Sequence, residues 1–459
     1  MTDPTMLNGF ADSLRGELVG RSDDEYDRAR QLYNGMIDKH PQMIARCVDV
    51  ADVINAVNYG REHDLLIAIR GGGHNGPGLG SCDDGLVIDL SRMKGIRVDP
   101  ERRTVRVEPG CTQGDVDHAA HAFGLAVPAG IVSTTGVAGL TLGGGTGYLS
   151  RQHGLTIDNL LEADVVLADG SFVTANESQH EDLFWALRGG GGNFGVVTSF
   201  TFQAHPVGTV YGGPLFWSQD DARQIMQWYR EFLPHAPEEF CPFLGLKTVP
   251  STDPFPPALW GQRICALISC YNGTADDAEA AMKPIRNALP PPILDGMAAM
   301  PFPALQSLFD PLLPPGLQWY WKGDFVKELP DAAIDAHLEN AAQAPSELSL
   351  MHLYPIDGAV HGVEPGATAW NYRSATWSMV IAGIDPDPAN AETITGWARA
   401  YWEAVHPYTM GGAYVNFMME EGDERIRATY GDNYPRLVEV KGTYDPENLF
   451  RVNQNITTP

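Results

Sequence analysis

The sequence predicts an α+β fold built from two units, and three observations predict it. The first is size: 459 residues exceed the roughly 250–300 at which one hydrophobic core stops growing. The second is that residues 37–207 alternate short β-branched runs with glycine clusters and amphipathic stretches, so strands and helices interleave. The third is a change of character over 208–400, where prolines cluster at Pro290-Pro291-Pro292 and Pro314-Pro315 and helical patterns separate longer strand-like runs.

The elements follow in chain order. Residues 1–36 are polar and predict a helical N-terminal arm. Asp49-Val50 and Asp52-Val53 open an amphipathic stretch to Val57 that predicts a helix. Leu65–Ile69 reads as a buried strand ending at Arg70, and Leu86–Leu90, Thr104–Val107 and Asp164–Leu167 read as strands bounded by turns. In the second unit, helical patterns cover Asp220–Phe232, Ala275–Lys283 and Asp331–Ala344, and strand-like runs cover Ile264–Cys270 and Leu348–Leu353. The tail, 406–459, is too short for a domain and is expected to pack on one. No repeat is visible at a 20–50 residue period.

Composition narrows the function. With 44% apolar and 19% charged residues the chain is globular. Lys+Arg is 31 against 58 Asp+Glu, a net charge of −27, which repels phosphate backbones and anionic bilayers and argues against nucleic acid or membrane as partner. No apolar run approaches the ~18 residues of a membrane span, and Met1-Thr2-Asp3-Pro4 lacks the start of a signal peptide. Cys47, Cys82, Cys111, Cys241, Cys265 and Cys270 form no CxxC pair; reduced thiols, a cytoplasmic location and no metal site are expected. The oligomeric state is left open.

Glycine carries the strongest signal. Gly71-Gly72-Gly73, Gly143-Gly144-Gly145 with Gly147, and Gly189-Gly190-Gly191-Gly192 each free backbone N–H groups at turns, where a pyrophosphate could be cradled. The nucleotide-binding fingerprints fail on context. GxGxxG spacing is met by Gly71, Gly73 and Gly76 and by Gly190, Gly192 and Gly195, but Pro77-Gly78 follows the first and Val196-Val197-Thr198 the second, whereas the fingerprint must open a helix. At Gly143 the spacing itself fails, because Tyr148 takes the last glycine place. No GxxxxGK[ST] occurs. His74 follows three glycines at the end of a strand, so a flat ligand can approach its imidazole, a competent nucleophile when neutral.

The ordered set Arg70-Gly71-Gly72-Gly73-His74-Asn75, Pro128-Ala129-Gly130, Gly143–Tyr148, Gly154–Asn159, Asp182–Thr198 and Asn448–Asn455 strongly resembles the berberine bridge enzyme-like FAD-linked oxidases, which share the PCMH-type fold of the vanillyl-alcohol oxidase superfamily. The resemblance covers nearly the whole chain. It implies an FAD-binding domain over 37–207, a substrate domain with an antiparallel sheet over 208–405, and a segment over 406–459 that returns to the first domain. It implies FAD bonded through its 8α carbon to His74. It further implies contacts to the cofactor from Arg70, Gly71, Gly72, Gly73, Asn75, Gly130, Thr134, Thr135, Gly136, Gly139, Leu140, Gly143, Gly144, Gly145, Gly147, Tyr148, Asn159, Gly195, Val196, Asn416, Asn453 and Asn455. Relatives with a second, cysteinyl link carry that cysteine where this chain has Val132, so one covalent link is expected. Thr135 and Leu140 are similar to the residues of bacterial polyketide-tailoring members, and a modest side chain there leaves room for oxygen, which favours an oxidase.

The catalytic base is where the chain departs from the family. Gly362 stands at the glutamate of the plant alkaloid enzymes, and Phe417 at the second tyrosine of Tyr-x-Asn-Tyr. His352 leads the substitutes, followed by Tyr414, with Tyr354 and His361 behind. His352 and Tyr354 alternate along one strand and so share a face. Trp370, Tyr372 and Trp377 are candidate pocket aromatics, although aromatic residues are more often simply packed. The reading is an FAD-dependent oxidase that takes hydride from a hydroxyl-bearing small molecule and reduces oxygen to hydrogen peroxide. The alternatives are a flavin-dependent cyclase or oxygenating tailoring enzyme, and a covalent flavin carrier without turnover.

Overall fold

Ile67–Arg70 and Leu86–Asp89 are apolar on both sides, as parallel strands covered on two faces must be. The computed structural model, which describes residues 4–457, pairs them in parallel with Arg70 opposite Asp89. Met43–Arg46 runs parallel on the far side of Leu86–Asp89. The crossover helix Val50–Glu62 begins where the Asp49 side chain accepts from the Asp52 amide, and it buries Val53, Ala56 and Val57.

The expectation of a helical arm over 1–36 holds only in part. Residues 1–3 lie outside the described residues. Helices occupy Pro4–Ser13 and Tyr26–Ala29, but Glu17–Gly20 between them is a strand. It adds antiparallel to the edge strand Met43–Arg46 and buries Val19. Glu17 also pairs with Arg46 at 3.0 Å. A free sheet edge with a buried apolar slot outweighs the weak helix propensity of this stretch.

A second, wholly antiparallel sheet follows, in the order Ile96–Asp99, Thr104–Val107, Val196–Gln203, Leu160–Val166, Phe172–Asn176. Helices Val137–Gly143 and Glu181–Leu187 pack into one core with it through Val137, Leu142, Leu183 and Phe184.

Residues 209–385 supply an eight-stranded antiparallel sheet. Its central order is Thr209–Ser218, Arg263–Tyr271, Phe240–Thr248, Leu350–Pro355, Trp377–Asp385, Gln318–Val326. Helices Ala222–Phe232, Ala275–Ala288, Asp331–Ala341 and Ala391–Val405 cover one face, meeting Leu244, Leu246, Met351 and Leu353. Each such side chain fully buried contributes roughly 1.5–3 kcal/mol. The two-residue period then turns Phe243, Lys247, His352 and Tyr354 to the opposite face, which looks toward the glycine loops.

The tail is fixed to one of those loops. Lys441 is fully buried and donates to the backbone oxygens of Asn193 (2.8 Å) and Phe450 (2.9 Å) and to Asp445 (2.6 Å). Asp445 in turn accepts from the Leu449 and Phe450 amides. This buried ion pair has its remaining donors and acceptors met, the condition under which such a pair is tolerated. All six cysteines are buried and unpaired. No helix among the described residues is long and apolar enough to cross a membrane.

Candidate functional site

A cavity of about 370 Å³ lies between the glycine loops and the open face of the large sheet. On the loop side it meets Arg70, Gly71, Gly72, Gly73, His74, Asn75, Gly130, Thr135, Gly136, Gly139, Leu140 and Gly195. On the sheet side it meets Lys247, His352, Tyr354 and Trp321, and it also meets Tyr414, Asn416 and Asn453.

Arg70 closes its strand with a buried ion pair to Asp89, 2.8 Å away on the neighbouring strand. The chain then turns through Gly71–Gly73. A side chain at Gly72 would stand 2.6 Å from the Gly136 backbone, so two loops dock backbone to backbone and only glycine fits. His74 leaves this turn with its ring stacked on Tyr33, centroids 3.9 Å apart and planes 17° apart. Burial lowers its pKa to about 4, against a hydrogen bond to the Thr134 backbone that raises it. The imidazole is therefore neutral at neutral pH and keeps a nucleophilic lone pair.

The residues on the wall fit FAD. A side chain built on Gly139 or Gly192 would meet nothing within 4 Å, so backbone there faces open space. Arg70 Nη1, Thr146 Oγ1, Trp319 Nε1, Trp321 Nε1, Tyr430 OH and Asn453 Oδ1 are buried on this wall without a partner. Proteins rarely leave so many polar atoms unmatched. A ligand with a heteroaromatic ring, a sugar chain and phosphates would match them.

Several expected cofactor contacts lie elsewhere. A side chain at Gly143 would collide with Asn416, at Gly144 with Trp370, at Gly145 with Thr156 and at Gly147 with the Ala129 carbonyl. These glycines serve tight packing beneath the cavity rather than its wall. Tyr148 packs on Phe243. Asn159 donates to the His153 and Leu155 carbonyls, and Val196 sits in the core of the first sheet. Thr134 acts through its backbone on His74. Asn455 is off the wall, with its Oδ1 buried and unpartnered.

Tyr414 and His352 both reach the cavity. The Tyr414 hydroxyl oxygen accepts from the Gly145 amide (3.0 Å) and Asn416 Nδ2 (2.8 Å). Asn416 Nδ2 also donates to the Gly139 carbonyl at 3.1 Å, which fixes its amide orientation. No acceptor among the described residues takes the Tyr414 proton. Burial pushes the phenol up to about 12, while the two donors pull it down. His352 Nδ1 shares a 2.9 Å hydrogen bond with the Tyr354 hydroxyl. Burial, then the Lys247 charge, lowers the His352 pKa to about 3. It is neutral but a weak base. Burial raises the Tyr354 phenol as well.

The aromatic candidates are corrected. Trp377 faces the helices and donates to the Tyr229 hydroxyl. Tyr372 donates to the Ala428 carbonyl, and Trp370 packs under Tyr414 at 5.0 Å. His361 contacts the Ala375 carbonyl, away from the wall. Aromatic residues that line the cavity include Tyr33, Phe309, Trp319, Trp321 and Phe417, besides Tyr354, Tyr414 and Tyr430. Sequence reading also passed over Lys247. Its signal was present as one lysine closing the otherwise apolar run Phe240–Leu246.

Known proteins match this arrangement. The family described as FAD binding domain matches residues 41–176, and the family described as berberine and berberine like matches 413–457. An FAD-linked oxidoreductase of Dictyostelium discoideum is 32% identical, over 98% of this chain and 96% of its own length. The crystal structure of 6-hydroxy-D-nicotine oxidase from Arthrobacter nicotinovorans superposes with a TM-score of 0.87 at 27% identity, covering 97% of this chain and 98% of that one. The wild-type BBE-like 1 protein of Physcomitrella patens gives a TM-score of 0.87 at 25% identity, with 99% of both chains covered.

Proposed function

Because the chain belongs to the berberine bridge enzyme-like family of FAD-linked oxidoreductases, we propose that it is an oxidase for a small hydroxyl-bearing molecule, with FAD bonded through its 8α carbon to His74 as the single covalent link. The observation that carries this reading is one cavity lined by both the His74 loop and Tyr414. FAD, when bound, supplies the two-electron acceptor that takes the hydride and delivers the electron pair to oxygen, which with two protons becomes hydrogen peroxide.

The protein's part is to hold, orient and deprotonate. Gly139 and Gly192 leave backbone open toward the cofactor, and Arg70 and Asn453 offer unpaired polar atoms. The His74 imidazole is held by its stack on Tyr33 and kept neutral by burial. The substrate hydroxyl must lose its proton as the carbon–hydrogen bond gives up hydride and the carbonyl forms. Tyr414 is the better-supported base: two N–H donors converge on its oxygen and would stabilise the phenolate, and its proton has no acceptor among the described residues. His352 and Tyr354 form a second polar pair on the sheet side of the same cavity. Thr135 and Leu140, beside the Gly136 turn, leave space for oxygen. The proposed units are 37–207 for FAD, 208–405 for substrate, and 406–459 returning to the first.

The test is anaerobic mixing of purified protein with alcohols, sugars and phenolics while the flavin spectrum is followed. Bleaching by one class, reversed in air with one peroxide per turnover, supports the oxidase. Bleaching that air does not reverse would instead mark a dehydrogenase.

A further inference from the structure

Lys247 is the unexplained group in this cavity. It lies on the sheet wall, in register with Ile264 on one side and Leu350 on the other, across the cavity from the glycine loops. Leu350, His352, Tyr354 and Trp321 share the sheet wall with it, and Leu312 and Leu348 also line the cavity. Among the described residues its ammonium has no ion pair and no hydrogen bond, and no Asp or Glu lines the cavity. In a chain with 58 acidic residues against 31 basic ones, a large cavity free of carboxylates is a specific exclusion. The other arginine or lysine on the wall, Arg70, already has Asp89. Lys247 is half-buried, an ammonium partly withdrawn from water without a counter-ion is unfavourable, and burial lowers the Lys247 pKa to about 8. The missing counter-charge is the observation to be explained.

We propose that Lys247 receives a carboxylate of the substrate, so that the cavity takes a molecule with an apolar, planar body carrying an anion at one end and the oxidisable carbon toward Tyr414. A single ammonium, with no second Lys or Arg on its side of the cavity, matches a monoanion. The inference rests on the oxidase reading for the direction of the substrate but not for the anion site itself.

The experiment measures binding and reduction separately. Binding of benzoate and of its neutral isostere benzamide is read by calorimetry and by the perturbed flavin spectrum of the holoenzyme. Wild type should bind benzoate about 10–100-fold more tightly than benzamide. Lys247→Met should abolish that preference while benzamide affinity stays within about twofold, and Lys247→Arg should restore most of it. Anaerobic reduction by 4-(hydroxymethyl)benzoate against 4-methylbenzyl alcohol is then compared in the same three proteins. Equal or undetectable binding of the two probes in wild type overturns the proposal, as does a preference that survives Lys247→Met. A preference without flavin reduction by any alcohol leaves the anion site standing and defeats the oxidase reading. Reduction without a preference does the reverse.

Discussion

The Tyr414 hydroxyl lies 2.8 Å from Asn416 Nδ2, and both residues line the cavity that His74 also lines. Two residues apart on a short turn, they present a phenol whose oxygen accepts two hydrogen bonds, with the Phe417 ring 4.9 Å away. Asn416 thereby acts on the phenol oxygen rather than as a free polar group. The base is therefore testable by two substitutions and a pH profile.

Tyr414→Phe should slow anaerobic flavin reduction by about 10²–10⁴ with an unchanged flavin spectrum, and His352→Ala should cost less. The pH profile distinguishes them. His352, lowered to about 3, is already deprotonated, so as base it would give a flat rate between about pH 6 and 10. Tyr414, raised to about 12, would give a rate that climbs through that range as the phenolate fraction grows.

Purified protein should be yellow, and the colour should stay with the polypeptide after acid precipitation. His74→Ala should retain FAD through the glycine loops yet release it on denaturation. Mass spectrometry of the peptide around His74 checks the bond directly, and wild-type protein that sheds all its flavin would contradict it.

Thr135→Leu should narrow the space beside Gly136 and slow reoxidation in air while sparing anaerobic reduction. Measuring both half-reactions checks this. Equal slowing of the two would indicate a packing defect in the loop that Asp310 holds through the Ser133 amide at 3.1 Å.

Asp117 predicts a stability effect. Burial raises its pKa to about 7; Gln306 opposes the shift and Asp310 adds to it. The folded state thus keeps a proton that the unfolded chain releases near pH ~4. The stability it contributes is full below that value, declines as pH rises, and is gone above about 7. Asp117→Asn should flatten this part of the Tm–pH curve and stabilise the protein above pH 7 by up to about 4 kcal/mol.

What the sequence disclosed follows its local physics. His352 and Tyr354 were readable as a pair because strand periodicity depends only on neighbours, and Thr104–Val107 was readable from its flanking turns. The His74 loop was readable because glycine and histidine together are chemically conspicuous. The strand Glu17–Gly20 was not, since its partner Met43–Arg46 lies beyond two turns and a helix. Trp377 was misplaced because register, not composition, decides which sheet face a residue takes; opposite Val326 it faces the helices. Gly143–Gly147 looked like a phosphate cradle, but Asn416, Trp370 and Thr156 crowd it, and such close packing from distant segments leaves no local trace.

The most direct test of the account is anaerobic stopped-flow reduction of the holoenzyme by a panel of alcohols, followed by admission of air. The account predicts that at least one alcohol bleaches the flavin's visible band in a single turnover, that Tyr414→Phe slows this step, and that air restores the band with one peroxide released. A flavin that dithionite reduces but no alcohol does would contradict it.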